Sequence, residues 1–255
     1  KNTLVSVVQI VPTPAQGNTP RDIVTDGKYV YVSMYTGVVS RIDPSTNTID
    51  KTVAVGPNPE EMVIVNKSLY VTNSGGNNYN AGNANGKSVS KISLSDFVEE
   101  KKIAVGLNPT KITADALGNV LVLCMGDYSA TPATVWKINA EDEATSMNIP
   151  ATIMDIKDNS LYVINAPYGA PSITYTVYNT SSGAVEKENF VSAPVDAPAG
   201  IAVHSDGRIF ITSYTLVGGF ASYKTPGYVS EYSSDGTFVK KYDVGVGAVS
   251  MTFLK

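Results

Sequence analysis

The sequence predicts an all-β fold, a β-propeller of four-stranded antiparallel blades, and three observations support this prediction. First, a unit of about 40–50 residues recurs five times between residues 18 and 245. Second, each unit holds four short strand-like runs separated by turns rich in Gly, Asn and Asp. Third, no segment has the i, i+3, i+4 apolar spacing over ten residues, which excludes a solenoid of helix pairs. A repeat of this length with four strands is typical of propeller blades.

A proline near the start of each unit sets the register of the repeat. Pro20, Pro59, Pro109, Pro150 and Pro198 lie 39, 50, 41 and 48 residues apart. The first three units match each other well, and the last two are weaker copies. Five whole blades are therefore visible in the sequence.

The second unit shows how the four strands of a blade, a to d, are recognised. Strand a is "EMVIV", and the pair Asn66-Lys67 after it suits a tight turn because Asn accepts a positive φ. Strand b, "LYVTN", is apolar on both faces, as expected for a strand between two neighbouring blades. Strand c, "SVSKIS", alternates, and strand d, "EEKKIAVG", carries the charges that suit an outer edge.

The loop between strands b and c is expanded in four of the five units. Residues 73–87 of the second unit are almost wholly Asn and Gly, and the other long b–c loops cover residues 126–133, 166–172 and 215–227. Insertions at this position leave the packing between blades unchanged. We expect the long loops to project from one face and to form a binding surface.

The two ends of the chain resemble single strands of incomplete blades. "TLVSVVQIVP" at the start is similar to a strand d, and "GAVSMTFLK" at the end is similar to a strand a. These two strands cannot complete a blade alone, because a b–c hairpin is missing between them. If the intact protein contains one further hairpin it has six blades, and if it contains about one and a half further blades it has seven. Residues 1–255 are predicted to form a single propeller domain that lacks an N-terminal part.

Composition narrows the classes of partner. Only 16% of residues are charged, the net charge is −4, and no basic block exists, which argues against binding to nucleic acid. No apolar run approaches the roughly 20 residues of a membrane helix. The single cysteine, Cys124, excludes an internal disulfide and lies in the apolar run "VLVLCMG", which favours a buried side chain over a nucleophile.

Candidate catalytic residues are few, so we expect no enzyme, no catalytic residue, no metal and no cofactor. The single histidine, His204, ends a strand a just before a turn. In propeller lactonases, Ca²⁺ is held by residues at the starts of the strands. The residues at the equivalent positions here differ in type and do not provide a ring of oxygen ligands. These positions are Arg21, Glu60, Thr110, Ala151 and Ala199.

The repeat resembles the YVTN-type, surface-layer-like propeller family. Tyr70-Val71-Thr72-Asn73 is literally present, as are "VSRID" on a strand c and "TNTIDKTVAVG" after it. The stretch "NPEEMVIVNKSLYVTNSGG" is similar to middle blades of surface propeller lipoproteins of gut bacteria, some of which bind corrinoids such as vitamin B12 and cobinamide. The resemblance implies seven blades, a place on the cell surface or secretion, and a TonB-dependent transporter of the outer membrane as partner.

Aromatic and amide side chains recur at the ends of the b strands and in the long loops. Tyrosine offers a flat apolar area with one polar tip at low entropic cost. We therefore predict a non-enzymatic binding protein, a monomer or part of a membrane complex, that captures a small nutrient such as a corrinoid. A protein-interaction scaffold without a small ligand is the alternative, and a propeller lyase or lactonase is the third candidate. The predicted ligand-binding residues are Tyr35, Asn73, Asn77, Tyr79, Asp127, Tyr128, Asn165, Tyr168, Tyr214, Phe220 and Tyr223.

Overall fold

The computed structural model describes residues 7–76, 86–167 and 172–253, and it confirms the predicted blades. Each of five antiparallel sheets contains four strands in the order a, b, c, d. Within the described residues, the one helix is a 3-10 turn at Pro14–Gln16. No helix in these ranges has the length and apolar character needed to cross a membrane.

The strands of the first three blades follow the chain without interruption. Blade 1 contains β1 Pro20–Thr25, β2 Val30–Met34, β3 Val38–Asp43 and β4 Thr48–Ala54; blade 2 contains β5 Pro59–Val65, β6 Ser68–Asn73, β7 Ser88–Ser93 and β8 Val98–Ala104; blade 3 contains β9 Pro109–Ala114, β10 Val120–Cys124, β11 Thr134–Ile138 and β12 Ala144–Pro150.

The last two blades follow the same order, with one addition. Blade 4 contains β13 Ile153–Lys157, β14 Ser160–Asn165, β15 Thr174–Asn179 and β16 Val185–Glu188; blade 5 contains β17 Pro198–Val203, β18 Ile209–Ser213, β21 Tyr228–Tyr232 and β22 Phe238–Asp243, with the short strands β19 Leu216–Val217 and β20 Phe220–Ala221 between β18 and β21. This hairpin differs from the plain loop predicted for residues 215–227, although "VGGF" is a two-glycine turn flanked by apolar residues.

The chain divides into two compact units. Unit 1 comprises Lys1–Thr113, Val120–Pro132 and Trp136–Ser146, and unit 2 comprises Ala114–Asn119, Ala133–Val135 and Met147–Lys255. Blades 1 and 2 lie in unit 1, and blades 4 and 5 lie in unit 2.

Each unit has an apolar core between its blades. In unit 1, Tyr31 and Val39 of blade 1 pack with Met62, Leu69 and Val71 of blade 2. The central strand β6 is buried at five of its six positions, as its apolar pattern predicts. The turn before it places Asn66 and Lys67 at φ 48° and 67°, the positive values that a tight hairpin requires.

The core of unit 2 is organised around Phe190, which follows the outer strand of blade 4. Its ring packs edge-on against Tyr162 and Tyr175, with centroid distances of 5.3 and 5.8 Å. Tyr175 also donates a hydrogen bond from its hydroxyl to the carbonyl oxygen of Val195 at 3.3 Å, so its polar tip is satisfied inside the core.

A polar seam joins the inner strands of neighbouring blades. Strand a forms the edge of its sheet, so half of its backbone groups have no partner strand. In unit 1, the Asp22 carboxylate accepts a hydrogen bond from the backbone N–H of Met62 at 2.8 Å, and the Ser33 hydroxyl donates to the carbonyl oxygen of Glu60 at 2.6 Å. In unit 2, Asp155 accepts from the N–H of Val203 at 2.7 Å.

The terminal segments differ from the expectation. Neither residues 7–13 nor residues 244–253 form a strand. The C-terminal segment does lie beside strand a of blade 5, because a Cβ added at Gly200 would come within 2.1 Å of the Val249 carbonyl oxygen. Within the described residues 7–13 and 244–253, the predicted strand d and strand a are therefore absent as regular elements.

We expect Asp22→Ala to lower the free energy of unfolding by about 1–3 kcal/mol, since it leaves the N–H of the buried Met62 without an acceptor. Chemical denaturation measures the change. Asp22→Asn keeps an acceptor oxygen and should lose less, whereas the exposed Asp96→Ala should change little. Equal losses for Asp22→Ala and Asp22→Asn would contradict the role given to this oxygen.

Cys124 is expected to be unreactive in the native protein. Its side chain is buried in β10, as the sequence predicted, and burial raises the pKa of the thiol to about 12. Because the thiolate is the nucleophile, a disulfide reagent at pH 8 should label Cys124 only after unfolding. Rapid labelling of one thiol per folded chain would show that β10 opens under native conditions.

Candidate functional site

The predicted site residues that the structure describes lie at the ends of strands b or in the b–c loops. Eight of the eleven fall within the described residues, whereas Asn77, Tyr79 and Tyr168 lie outside them. Tyr35, Asn73, Asp127 and Tyr128 belong to unit 1, and Asn165, Tyr214, Phe220 and Tyr223 belong to unit 2.

Tyr35 follows β2 and is half-buried among polar groups of blades 1 and 2. The Arg21 guanidinium lies over its ring at 5.2 Å from the centroid, a cation–π arrangement. Its hydroxyl lies 2.9 Å from the position that a Cβ at Gly76 would occupy, so only glycine fits there without displacement. Burial, and after it the Glu60 charge, raise the pKa of the Tyr35 phenol, which therefore stays a neutral hydrogen-bond donor.

The Arg21–Glu60 pair beside Tyr35 was not predicted as part of the site. The Arg21 Nη2 atom lies 2.6 Å from Glu60 Oε2, and Glu60 Oε1 accepts a hydrogen bond from the Ser74 hydroxyl at 3.1 Å. Arg21 and Glu60 occupy the same repeat position in adjacent blades, and their opposite charges are the sequence feature from which this ion pair could be predicted. The pair holds Tyr35 and the first residues of the blade 2 loop together.

A second ion pair continues the line of charges along the strand starts. Lys111 Nζ lies 2.6 Å from Glu61 Oε1, and Glu61 also accepts from the backbone N–H of Ile112. Burial raises the pKa of the Glu61 carboxyl despite the opposing effect of Lys111. The ion pair and the backbone N–H satisfy one another's charge and hydrogen-bonding capacity, so these groups belong to the seam between blades.

Asn73 is a correction to the predicted site. It is fully buried at the end of β6, and its amide nitrogen donates to the hydroxyls of Ser88 and Ser90 at 3.1 and 2.9 Å. Its side chain also packs against Gly56, where a Cβ would come within 2.5 Å of the Asn73 Cγ. Asn73 therefore fixes the pairing of β6 with β7 and cannot line an open rim.

Tyr128 is presented to solvent by an ordered turn in blade 3. The Asp127 carboxylate accepts hydrogen bonds from the backbone N–H groups of Ser129 and Thr131 at 2.9 and 2.8 Å, and these bonds hold the pKa of the carboxyl below its usual range. Tyr128 sits at φ 57° with its side chain 61% exposed. A bulky residue in this left-handed region is uncommon and often marks a functional position.

The unit 2 residues are arranged differently. Asn165 ends β14, where its backbone pairs with Thr174, and its side chain is half-buried. The Tyr214 and Tyr223 rings pack edge to face with centroids 4.8 Å apart, at the base of the β19–β20 hairpin that carries the exposed Phe220. Tyr214 is half-buried, and burial, then Tyr223, raise the pKa of its phenol.

The side chain of His204, the single histidine, contacts neighbouring residues of its own turn and of the C-terminal segment. His204 Nδ1 lies 2.8 Å from the Asp206 carboxylate, and its ring packs edge-on against Phe253 at 4.7 Å. Asp206 also accepts from the N–H of Arg208, as a turn residue does. Among the described residues, no group of three or more His, Cys, Asp or Glu side chains is placed to hold a metal ion.

Comparison with known proteins supports the propeller fold. No protein-family model and no curated protein sequence matches the chain. Hydrazine synthase of Kuenenia stuttgartiensis is similar in structure, with a TM-score of 0.65 and 17% identity over 97% of this chain and 71% of that chain. A functionally unknown protein from Desulfotomaculum acetoxidans gives a TM-score of 0.62 and 12% identity over 90% of this chain and 71% of its own.

A third similar structure is the dihydro-heme d1 dehydrogenase NirN in complex with DHE, with a TM-score of 0.57 and 14% identity. That match covers 89% of this chain and 47% of NirN. Identities this low show a shared fold alone, and these neighbours have β-propeller-like folds. A propeller fold hosts many functions, so the function depends on the side chains of the site and not on the fold.

Tyr128→Gly should raise the free energy of unfolding by about 0.5–1 kcal/mol, because glycine adopts φ 57° without the steric cost of a side chain. Denaturant titration measures the gain. Tyr128→Ala keeps the Cβ and should give no such gain. A glycine variant less stable than the alanine variant would show that the turn is not strained.

Proposed function

We propose that this chain is a non-enzymatic binding protein that captures a small ligand at the b–c loops of unit 1. The observation that carries the proposal is Tyr128, an exposed aromatic side chain held in a left-handed backbone conformation by the Asp127 turn. A left-handed backbone costs free energy at a residue other than glycine, and such strained residues cluster at functional sites.

Tyr35 supplies a second contact of suitable chemistry. Its neutral hydroxyl is a donor. The Arg21 side chain is 48% exposed, and its guanidinium, which lies above the ring, retains N–H groups that can reach an acceptor. Tyrosine faces and donor groups together suit a flat ring with polar edges. Glu60 neutralises the Arg21 charge, so the ligand need not be an anion.

A corrinoid is the first ligand to test, on the ground of the resemblance to surface propeller lipoproteins that bind vitamin B12 or cobinamide. The same resemblance leads us to propose a place on the cell surface or outer membrane and a TonB-dependent transporter as partner. A scaffold that binds another protein without a small ligand is the alternative function.

Titration of the purified protein with cyanocobalamin and cobinamide, followed by the visible absorbance of the corrin or by heat, tests the proposal. We expect saturable one-to-one binding. Tyr35→Ala and Tyr128→Ala should each weaken it by about tenfold or more, as the loss of a stacking or hydrogen-bonding tyrosine does.

Phe238→Ala is the matched control, since Phe238 is an exposed aromatic residue on the outer strand of blade 5. It should leave binding unchanged. Absence of binding at high micromolar corrinoid by protein with a native circular dichroism spectrum would remove corrinoids. Equal weakening by all three variants would show that the loops are not the site.

A further inference from the structure

The β19–β20 hairpin of blade 5 exposes apolar side chains on both of its faces. Val217 pairs with Phe220 and Leu216 pairs with Ala221. Because opposed residues share a face and successive residues alternate, Val217 and Phe220 lie on one face and Leu216 and Ala221 on the other. Leu216, Val217 and Phe220 are 41%, 56% and 69% exposed.

The tip of the hairpin stands clear of the rest of the described protein. Gly218 and Gly219 form the turn with φ 61° and 85°, and a Cβ added at either would meet nothing within 4 Å. The two strands pair only with each other and not with the sheet of blade 5. The hairpin is therefore a projection, not the wall of a cavity.

The base of the hairpin, in contrast, is well anchored. The N–H of Ser222 donates to the carbonyl oxygen of Thr215 at 2.9 Å, and the Thr215 hydroxyl donates to the carbonyl oxygen of Pro226 at 2.7 Å. Tyr214 and Tyr223 pack together there. These contacts hold the two legs of the hairpin together at its base.

The hairpin is apolar at its tip and becomes polar and then positively charged towards its base. The tip is apolar, the base carries Tyr214 and the 71% exposed Tyr223, and Lys224 follows. Residues 213–227 contain no Asp or Glu, although the chain as a whole has a net charge of −4. Apolar residues flanked by tyrosine and lysine are the sequence found where a protein passes from hydrocarbon to headgroups.

We propose that this hairpin inserts into the interface of a lipid bilayer that contains anionic headgroups. Val217, Phe220 and Leu216 enter the acyl boundary, the two tyrosines lie at headgroup depth, and Lys224 meets lipid phosphate. A flat protein surface can cover only one face of a projecting hairpin, whereas a bilayer surrounds both faces. On this proposal Phe220 and Tyr223 contact lipid and not the small ligand predicted from the sequence.

A tryptophan at the tip tests the insertion directly. We expect the fluorescence of Phe220→Trp to shift to shorter wavelength with phosphatidylcholine vesicles containing phosphatidylglycerol, and to be quenched by lipids brominated on their acyl chains. Wild-type protein supplies the background of Trp136. Leu117→Trp is the matched control, because Leu117 is 63% exposed in a turn of the same unit and should respond to neither.

Vesicle sedimentation gives an independent measurement. Val217→Asp combined with Phe220→Asp should lower the apparent affinity by about tenfold or more, since burial of both apolar side chains is lost. Leu117→Asp should have no effect. Lys224→Glu should weaken binding to anionic vesicles and lessen its dependence on phosphatidylglycerol content.

Failure of Phe220→Trp to respond to any vesicle, with the protein folded, would overturn the proposal. A response only to membranes that contain protein would also overturn it and would assign the hairpin to a protein partner. Neither result bears on corrinoid capture, because no residue tested for that function lies in the hairpin.

Discussion

The inner edge of each blade is the point on which the rest of this structure depends. Strand a pairs with strand b on one side only, and its other backbone groups would be buried without partners. Side chains of the preceding blade satisfy them, with Asp22 accepting from Met62 and Glu61 from Ile112 in unit 1. Asp155 does the same for Val203 in unit 2. The apolar core holds blades together, and this seam fixes their register.

Because the seam and the core lie in the strands, the b–c loops can vary without loss of the fold. In unit 1 the charges next to the seam also reach a loop, since Glu60 bonds Arg21 on one oxygen and Ser74 on the other. The same carboxylate thus joins two blades and positions the Tyr35 environment. A ligand contact at this place inherits its rigidity from strands, which are more rigid than loops.

The repeat made the fold predictable, because strand pattern and turn residues agree in the first three units and recur more weakly in the last two. The positions of side chains within the loops were harder to predict from the sequence. Asn73 and Tyr128 both follow a strand b, yet Asn73 is buried by its hydroxyl partners on β7 while Tyr128 is presented by a turn. That difference depends on the next strand and on Asp127. The β19–β20 hairpin is hard to predict because its "VGGF" turn lies inside a long insertion between strands b and c.

Two exposed aromatic residues of the described chain each carry a cost in free energy. Tyr128 occupies a backbone region that glycine would fill with less strain, and Phe220 leaves most of an aromatic ring in water. Departures of this kind are expected at functional positions. Their settings differ, a polar loop in unit 1 and an apolar projection in unit 2, and for this reason we propose a small ligand for the first and a lipid surface for the second.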